Sequence, residues 1–461
     1  MTIEVLPNTV LLEIFSFYVD QSLADEDVWQ TLVHVCRQWQ VVVFDSPRRL
    51  NLRILYTPKR PLKMLDIWPA LPIVIDFWGT GQRLTRRGMA NITAALEQHC
   101  RVRKINMLSI PNSLMKEFAG VNRPFPELTH LKLVSNEENV PILPDVFLGG
   151  SAPSLHTLDL CGIPFPAARK LLLSTRNLVS LCLWAIPHSG YTSPEEMVTC
   201  LSALTGLKVF FLGSRYPQSQ SRVGRETQRL PPATPIVLAT LSKFTFKGNT
   251  EYLEDIVSLI DTPLLIHFKI TFFNQLTFDT PLLRHFINRT EMIKAHYRVS
   301  VDFHNRRVGV KFLPQEGTAV QGGLHLRILC KPSDWQLSSV AQVCSLSLPP
   351  LYAMEHLQIR SYRRYRSRCQ DDIEDTQWLE LLYPFTSVKH LFVSYGLVPL
   401  VAPALQELSG ERVTEVLPML QNFSLEGPRW SKPIEGPGAI RQFIAARQLS
   451  GRPVAILGHK V

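Results

Sequence analysis

The chain of 461 residues has no run of about 18 or more apolar residues, so no transmembrane helix is expected. It has no CxxC pair. None of its eight cysteines (Cys36, Cys100, Cys161, Cys182, Cys200, Cys330, Cys344 and Cys369) joins histidine at zinc-ligand spacing, so no metal is expected. Most sit in apolar company, as in Leu181-Cys182-Leu183, where a thiol acts as a small hydrophobe. The GxxxxGK[ST], HExxH, GxSxG and EF-hand signatures are all missing, so the reading is of a non-enzyme without cofactor. Gly79-Thr80-Gly81 with Arg83 lacks the third Gly and the Lys of a phosphate loop, and reads as a turn after a strand at 73–77. Glycine (23) is scarcer than proline (34), which points to many short elements separated by rigid turns. The first residues carry no basic n-region and no long apolar stretch, so no signal peptide is expected. An intracellular site, cytoplasmic or nuclear, follows, with the sequons at Asn91, Asn288 and Asn422 unglycosylated.

What is present is ordinary globular composition, with 45% hydrophobic and 19% charged residues, which excludes wholesale disorder. At roughly 150 residues per domain the length allows about three globules, or one long repeat domain and a small module. The net charge of +10 admits an acidic partner. The excess falls outside the first 60 residues, which are nearly neutral, and concentrates at 83–104, 284–311 and 429–460. Arg360, Tyr362, Arg363, Arg364, Tyr365, Arg366 and Arg368 form the densest run. Arginine interleaved with tyrosine suits nucleic acid. However, Asp371, Asp372, Glu374 and Asp375 follow at once and cancel it, so a solvated loop leading into an acidic helix start is preferred.

The N-terminal segment reads as three short helices. Leu6-Pro7 opens the first, where proline costs no hydrogen bond, and Val10, Leu11, Ile14 and Phe15 recur at helical spacing as one apolar face. Trp29, Leu32, Val33 and Cys36 line a second helix, and residues 39–44 a third. The apolar set Val33, Val35, Val41, Val42, Val43 and Phe44 exceeds what so small a core can bury, so a partner or the following domain must cover the surplus.

The string Leu6-Pro7-x-x-Val10-Leu11-Leu12-x-Ile14-Phe15, followed by Leu32-Val33-His34-Val35-Cys36-Arg37-x-Trp39, resembles the F-box motif over about residues 4–45. The continuation around Phe44–Leu52 and Leu65–Ile73 resembles the F-box proteins of mushroom-forming fungi. The acidic insert 21–27 lengthens the first inter-helix loop relative to the motif. The resemblance implies that Leu6, Pro7, Val10, Leu11, Ile14, Phe15, Val33, Val35, Cys36 and Trp39 pack against the small adaptor subunit of an SCF-type cullin-RING ubiquitin ligase. The bland alternative is that these residues are only the core of a helical cap on the next domain.

A second pattern, apolar at i, i+3 and i+5, recurs at Val102/Ile105/Met107, Leu128/Leu131/Leu133, Leu155/Leu158/Leu160, Leu178/Leu181/Leu183, Leu207/Phe210/Leu212, Leu241/Phe244/Phe246 and Leu265/Phe268/Ile270. It continues at Met292/Ala295/Tyr297 and returns at Met354/Leu357/Ile359, Val388/Leu391/Val393 and Leu420/Phe423/Leu425. The early first members lie 26, 27, 23, 29, 34 and 24 residues apart, with helical patterns in the gaps. Strand, turn, helix, turn at that period describes a parallel α/β solenoid whose repeats bury their faces only by stacking. The leucine positions resemble leucine-rich repeats, although the Asn/Cys ladder of that family is mostly missing. Residues 298–330 break the period with a β-hairpin around 304–307, placed at the solenoid edge or in an inserted subdomain. His130, His156, His267 and His390 recur at the strands and suggest imidazoles on their exposed face. Residues 214–235 and 426–438 read as exposed loops.

The expected architecture is therefore α/β: an all-α F-box module at 1–50, a connector and cap at 51–100, and an irregular leucine-rich-repeat-like solenoid at 101–461. The expected role is a substrate receptor that brings an unknown protein substrate to the adaptor and, through it, to a cullin. The alternatives are a non-degradative F-box scaffold and a basic repeat protein that binds nucleic acid.

Overall fold

The structure, a computed structural model, describes residues 6–21, 28–57, 70–78, 84–165, 169–190, 192–215, 235–273, 278–290, 298–313, 322–330, 333–346, 351–362, 375–408, 410–426 and 437–457. The Met292/Ala295/Tyr297 triplet, the Gly79–Gly81 turn with Arg83, the acidic insert from 22, the core of the Arg/Tyr run, and most of the two loops lie outside these residues. The chain forms two compact units, Met1–Thr192 with Ala203–Leu207, and Ser193–Ser202 with Lys208–Val461. Both are built of parallel strands alternating with helices, so the architecture is mixed α/β. No helix among the described residues is long and apolar enough to cross a membrane.

The first unit opens with helices α1 (Asn8–Gln21), α2 (Trp29–Val33) and α3 (Arg37–Asp45). Strands β1 (Ile54–Tyr56), β2 (Ile73–Trp78), β3 (Val102–Leu108), β4 (His130–Val134), β5 (Thr157–Cys161) and β6 (Ser180–Ile186) follow. They pair in parallel in sequence order. Helix α4 (Arg86–Glu97) precedes β3, α5 (Asn112–Ala119) precedes β4 and α6 (Arg169–Ser174) precedes β6. Thr85 caps α4, its hydroxyl accepting the Gly88 N–H at 3.1 Å.

The apolar triplets map onto this unit residue by residue. Ile105, Leu131, Leu158 and Leu181 stand in register across four strands, as do Met107, Leu133, Leu160 and Leu183, and all eight are buried. In the triplets of β4, β5 and β6 the first member lies before its strand and closes a tight turn, whereas Val102 opens β3 itself. The N–H groups of Leu128, Leu155 and Leu178 donate to the carbonyls three residues back, of Phe125, Ala152 and Thr175. This turn explains the spacing: three residues from the turn leucine to the first inward strand position, then two along the strand.

Between β5 and the following loop, Gly162 adopts φ +70° and donates to the Trp184 carbonyl at 2.8 Å. A β-carbon there would lie 2.1 Å from the Ser135 carbonyl oxygen. Gly162→Ala is expected to lower the stability of the first unit by about 3 kcal/mol, since left-handed strain and a backbone clash coincide. Urea denaturation of the variant checks this.

The second unit carries β7 (Val209–Ser214), β8 (Ile236–Val237), β9 (Lys243–Gly248), β10 (Ile260–Asp261), β11 (His267–Phe273), β12 (Arg298–His304), β13 (Arg307–Leu313), β14 (Gly323–Leu329), β15 (His356–Ser361), β16 (His390–Ser394), β17 (Asn422–Glu426) and β18 (Ala455–Leu457). Its helices are α7 (Pro194–Ser202), α8 (Thr250–Leu259), α9 (Pro281–Arg289), α10 (Ser333–Leu346), α11 (Asp375–Leu382), α12 (Val398–Gln406) and α13 (Pro437–Leu449). The Ser193-Pro194-Glu195-Glu196 start of α7 is a reciprocal cap. The Ser193 N–H donates to Glu196 Oε2 at 3.3 Å and the Glu196 N–H to Ser193 Oγ at 3.2 Å. Glu254 of α8, buried, accepts the N–H groups of Leu282 and Leu283 at 2.9 and 2.6 Å and so caps α9. The buried Arg447 of α13 donates to the carbonyls of Val413, Pro418 and Leu420 at 3.2–3.3 Å, tying the last turn to the segment that leads into β17.

Here the inward ladder is aromatic. Phe210, Phe244 and Phe268 align across β7, β9 and β11, their rings stacked 5.2 Å apart in each pair. The hairpin is present, with β12 antiparallel to β13, but at neither of the places the sequence suggests. Strand β13 also pairs antiparallel with β14, β14 pairs in parallel with β11, and β12 in parallel with β15. The order β11-β14-β13-β12-β15 puts the hairpin inside the sheet. The reason is that each strand keeps the apolar alternation of its neighbours: Phe268, Leu324, Val310 and Val301 are all buried inward positions.

Candidate functional site

The three N-terminal helices and the residues that flank them hold every residue that the sequence assigns to partner binding. Helix α1 begins after Pro7, whose carbonyl accepts the N–H groups of Val10 and Leu11 at 2.9 and 3.1 Å. Proline suits this place because its missing donor has no role there. The sequence reading of one apolar face is corrected: α1 has two. Leu11 and Phe15 point inward and are fully buried, whereas Val10 and Ile14 are 41% and 46% exposed. Adjacent helical residues are turned by about 100°, so consecutive apolar pairs cannot share one narrow face. Phe17, 66% exposed, and Tyr18 extend the outward stripe one further turn.

The inward half forms one cluster. Leu11, Phe15, Trp29, Leu32, Val33, Val42 and Val43 pack with Leu50, Leu52, Ile54 and Leu71, so the helices are seated on β1. Trp29 Nε1 donates to the Arg53 carbonyl at 2.8 Å, and its ring meets Phe44 edge-on at 6.1 Å. Trp39 of α3 lies against Phe15 with ring centroids 4.7 Å apart, its indole N–H buried without a hydrogen-bond partner. Arg49 forms an ion pair with Glu13, and Gln38 donates to Asn8 Oδ1 at 3.3 Å, holding α1 to the segment around α3.

The ten assigned residues therefore separate. Leu11, Phe15 and Val33 are core, and Leu6, Cys36 and Trp39 are half-buried. Pro7, Val10, Ile14 and Val35 face solvent. Cys36 is not on the second helix but at the N-cap of α3, in extended conformation, its carbonyl accepting the Gln40 N–H at 3.0 Å. Phe17 and Val41, not among the assigned residues, belong with the exposed set. The sign for Phe17 was available, since it stands seven residues after Val10 on the same helical stripe.

The outward strand positions carry the polar chemistry. His130, His267, His356 and His390 occupy one register position, the first residue of their strands, whereas His156 comes one residue before β5. His356 and His390 stack at 4.4 Å, and His390 Nδ1 meets the Asn422 amide at 3.1 Å. Lys132 pairs with Asp159 at 2.9 Å, and next in that register Cys182 has its thiol pushed up to about 12 by burial and by Asp159, which makes it a poor nucleophile. Among the described residues no group of three or more His, Cys, Asp or Glu is placed to hold a metal ion.

In the second unit His325 sits between Lys269 and Lys311 in the strand register, with Arg327 Nε donating to its Nε2 at 2.9 Å. Burial, then Arg327, Lys311 and Lys269, push its imidazole down to about 3 from the usual 6.5. Asp302, almost fully buried, forms an ion pair with Lys311 and accepts Ser300 Oγ at 2.8 Å. The folded state thus holds His325 neutral. Its contribution to stability is complete above pH 6.5 and is lost as pH falls toward 3. Urea titrations between pH 7.5 and 5 are expected to show a loss of up to about 1.4 kcal/mol per pH unit below 6.5 from this group. His325→Gln flattens that slope.

No protein-family model matches the chain, and no curated protein matches it. Among solved structures, the leucine-rich repeat-containing protein LegL7 from Legionella pneumophila aligns over 76% of this chain and 99% of its own, at 14% identity and a TM-score of 0.28.

Proposed function

We propose that this chain is a substrate receptor of an SCF-type cullin-RING ubiquitin ligase, with an F-box at about residues 4–45 and leucine-rich-repeat-like units that hold a protein substrate. The observation that carries the reading is the ordered motif of Leu6-Pro7, Ile14-Phe15 and Val33 to Trp39, together with the uncovered stripe Val10, Ile14 and Phe17. A monomeric helical cap gains nothing from exposing such a stripe, whereas an adaptor-docking helix requires it. The receptor performs no chemistry. It raises the local concentration of substrate beside the ubiquitin-loaded enzyme. The adaptor contacts are Pro7, Val10, Ile14 and Val35, with Leu6, Cys36 and Trp39 beside them. Leu11, Phe15 and Val33 shape that surface from below.

The test is co-purification of recombinant adaptor with the full chain. Capture by the wild type and its loss in Leu6→Ala with Pro7→Ala support the reading. No capture by the wild type overturns it. Ubiquitination of a bound partner in the reconstituted ligase distinguishes a receptor from a scaffold that engages the adaptor without a cullin.

A further inference from the structure

The first unit holds a cavity of about 480 Å³, and among its described lining residues there is no carboxylate. Arg53, Arg103, Lys104, His130 and His156 line it, with the Thr129 hydroxyl among them. The backbone sets their spacing. The Arg103 carbonyl accepts the Thr129 N–H at 2.8 Å and its hydroxyl at 3.0 Å, and the Thr129 carbonyl accepts the His156 N–H at 2.8 Å. Residues 103, 129 and 156 are thus held one strand apart. Lys104 and His130 are paired in the β3–β4 register, and Thr129 Oγ1 meets His130 Nδ1 at 2.8 Å. Three permanent cations and two imidazoles converge from three successive strands and the segment before β1.

We propose that this cavity binds the phosphate group of a phosphomonoester. Guanidinium and ammonium groups supply charge-assisted donors to phosphate oxygens. The volume falls within the range of small-molecule sites and exceeds what a single phosphate fills, so the rest of the ligand is also accommodated. The free protein carries a matching electrostatic cost. Burial, then Lys104, His156 and Arg103, lower the His130 pKa, and a bound dianion relieves that repulsion. The phosphate can come from a free phosphorylated metabolite or from a phosphorylated side chain. The proposal does not depend on adaptor docking.

Calorimetric titration of the full chain at low salt tests it, with inorganic phosphate, O-phosphoserine, a phosphoserine peptide and the same peptide unphosphorylated as probes. Saturable binding of the phosphate-bearing probes is expected, weakened at least tenfold by Arg103→Glu with Lys104→Glu and unchanged by Arg176→Glu, a charge reversal at an exposed residue not among those lining the cavity. A phosphopeptide that binds tighter than phosphoserine identifies a protein-borne phosphate, and equal affinity identifies a small molecule. Where the double variant does not fold, His156→Ala, at an exposed side chain, is read instead and is expected to lose about threefold. Absence of binding by every phosphate-bearing probe, equal binding by both peptides, or binding unaffected in the folded cavity variants overturns the proposal.

Discussion

Ile14→Asp is expected to reduce adaptor capture by about 100-fold or more while the chain stays folded. Ile14 is 46% exposed, so the aspartate is solvated in the free protein and costs little there. In a complex the same carboxylate is driven into an apolar contact with no partner. Loss of a central apolar anchor together with burial of an unpaired charge is worth about 3 kcal/mol or more. Phe15→Ala, one residue on, is the contrast. Phe15 is fully buried between Trp39 and the cluster seated on β1, so its loss is expected to lower stability by about 4 kcal/mol. Surface plasmon resonance against immobilised adaptor reads the first effect, and urea denaturation reads the second. If both variants lose binding and stability in parallel, the outward stripe has no separate docking role.

Phe244→Ala is expected to destabilise the second unit by about 5 kcal/mol. Its ring is the middle member of the Phe210–Phe244–Phe268 stack and has no solvent exposure. Truncation of a buried phenylalanine leaves a cavity costing about 3–5 kcal/mol, and two ring pairs of about 0.5–1.5 kcal/mol each are lost with it. The sum is not strictly additive, because the flanking rings relax toward the gap. Phe244→Leu, which retains most of the volume, is expected to cost less than half as much. The midpoint of urea denaturation followed in the second unit decides between these values.

How far the sequence was legible depends on whether the determinant was local. The triplets from Val102 to Ile270 mark strands that the structure contains, because a turn leucine followed by alternating burial is written in adjacent residues. The hairpin at 304–307 was legible for the same reason. Its place between β14 and β15 was not, since pairing β11 with β14 depends on residues about fifty positions apart. The N-terminal motif named the right helices but merged two faces, because apolarity alone does not say which of Val10 and Leu11 a neighbour covers. Only the position of Ile54 and Leu71 beneath Leu11 and Phe15 determines that. The phosphate cavity was illegible because Arg53, Arg103, His130 and His156 lie in four separate stretches, and only strand register unites them.

The antiparallel hairpin within an otherwise parallel ladder also bears on how the second unit acquires its structure. A purely parallel array grows from one strand to the next, each step closing a loop of twenty-odd residues. Here β11 gains its partner on that side only after β12 and β13 have been made, whereas β12, β13 and β14 meet through short-range contacts alone. That three-stranded meander is the segment of lowest contact order in the unit and offers one edge to β11 and the other to β15. It is therefore suited to act as a folding nucleus from which order spreads in both directions along the chain. Amide protons of β12 and β13 then exchange last, and those of the end strand β18 first.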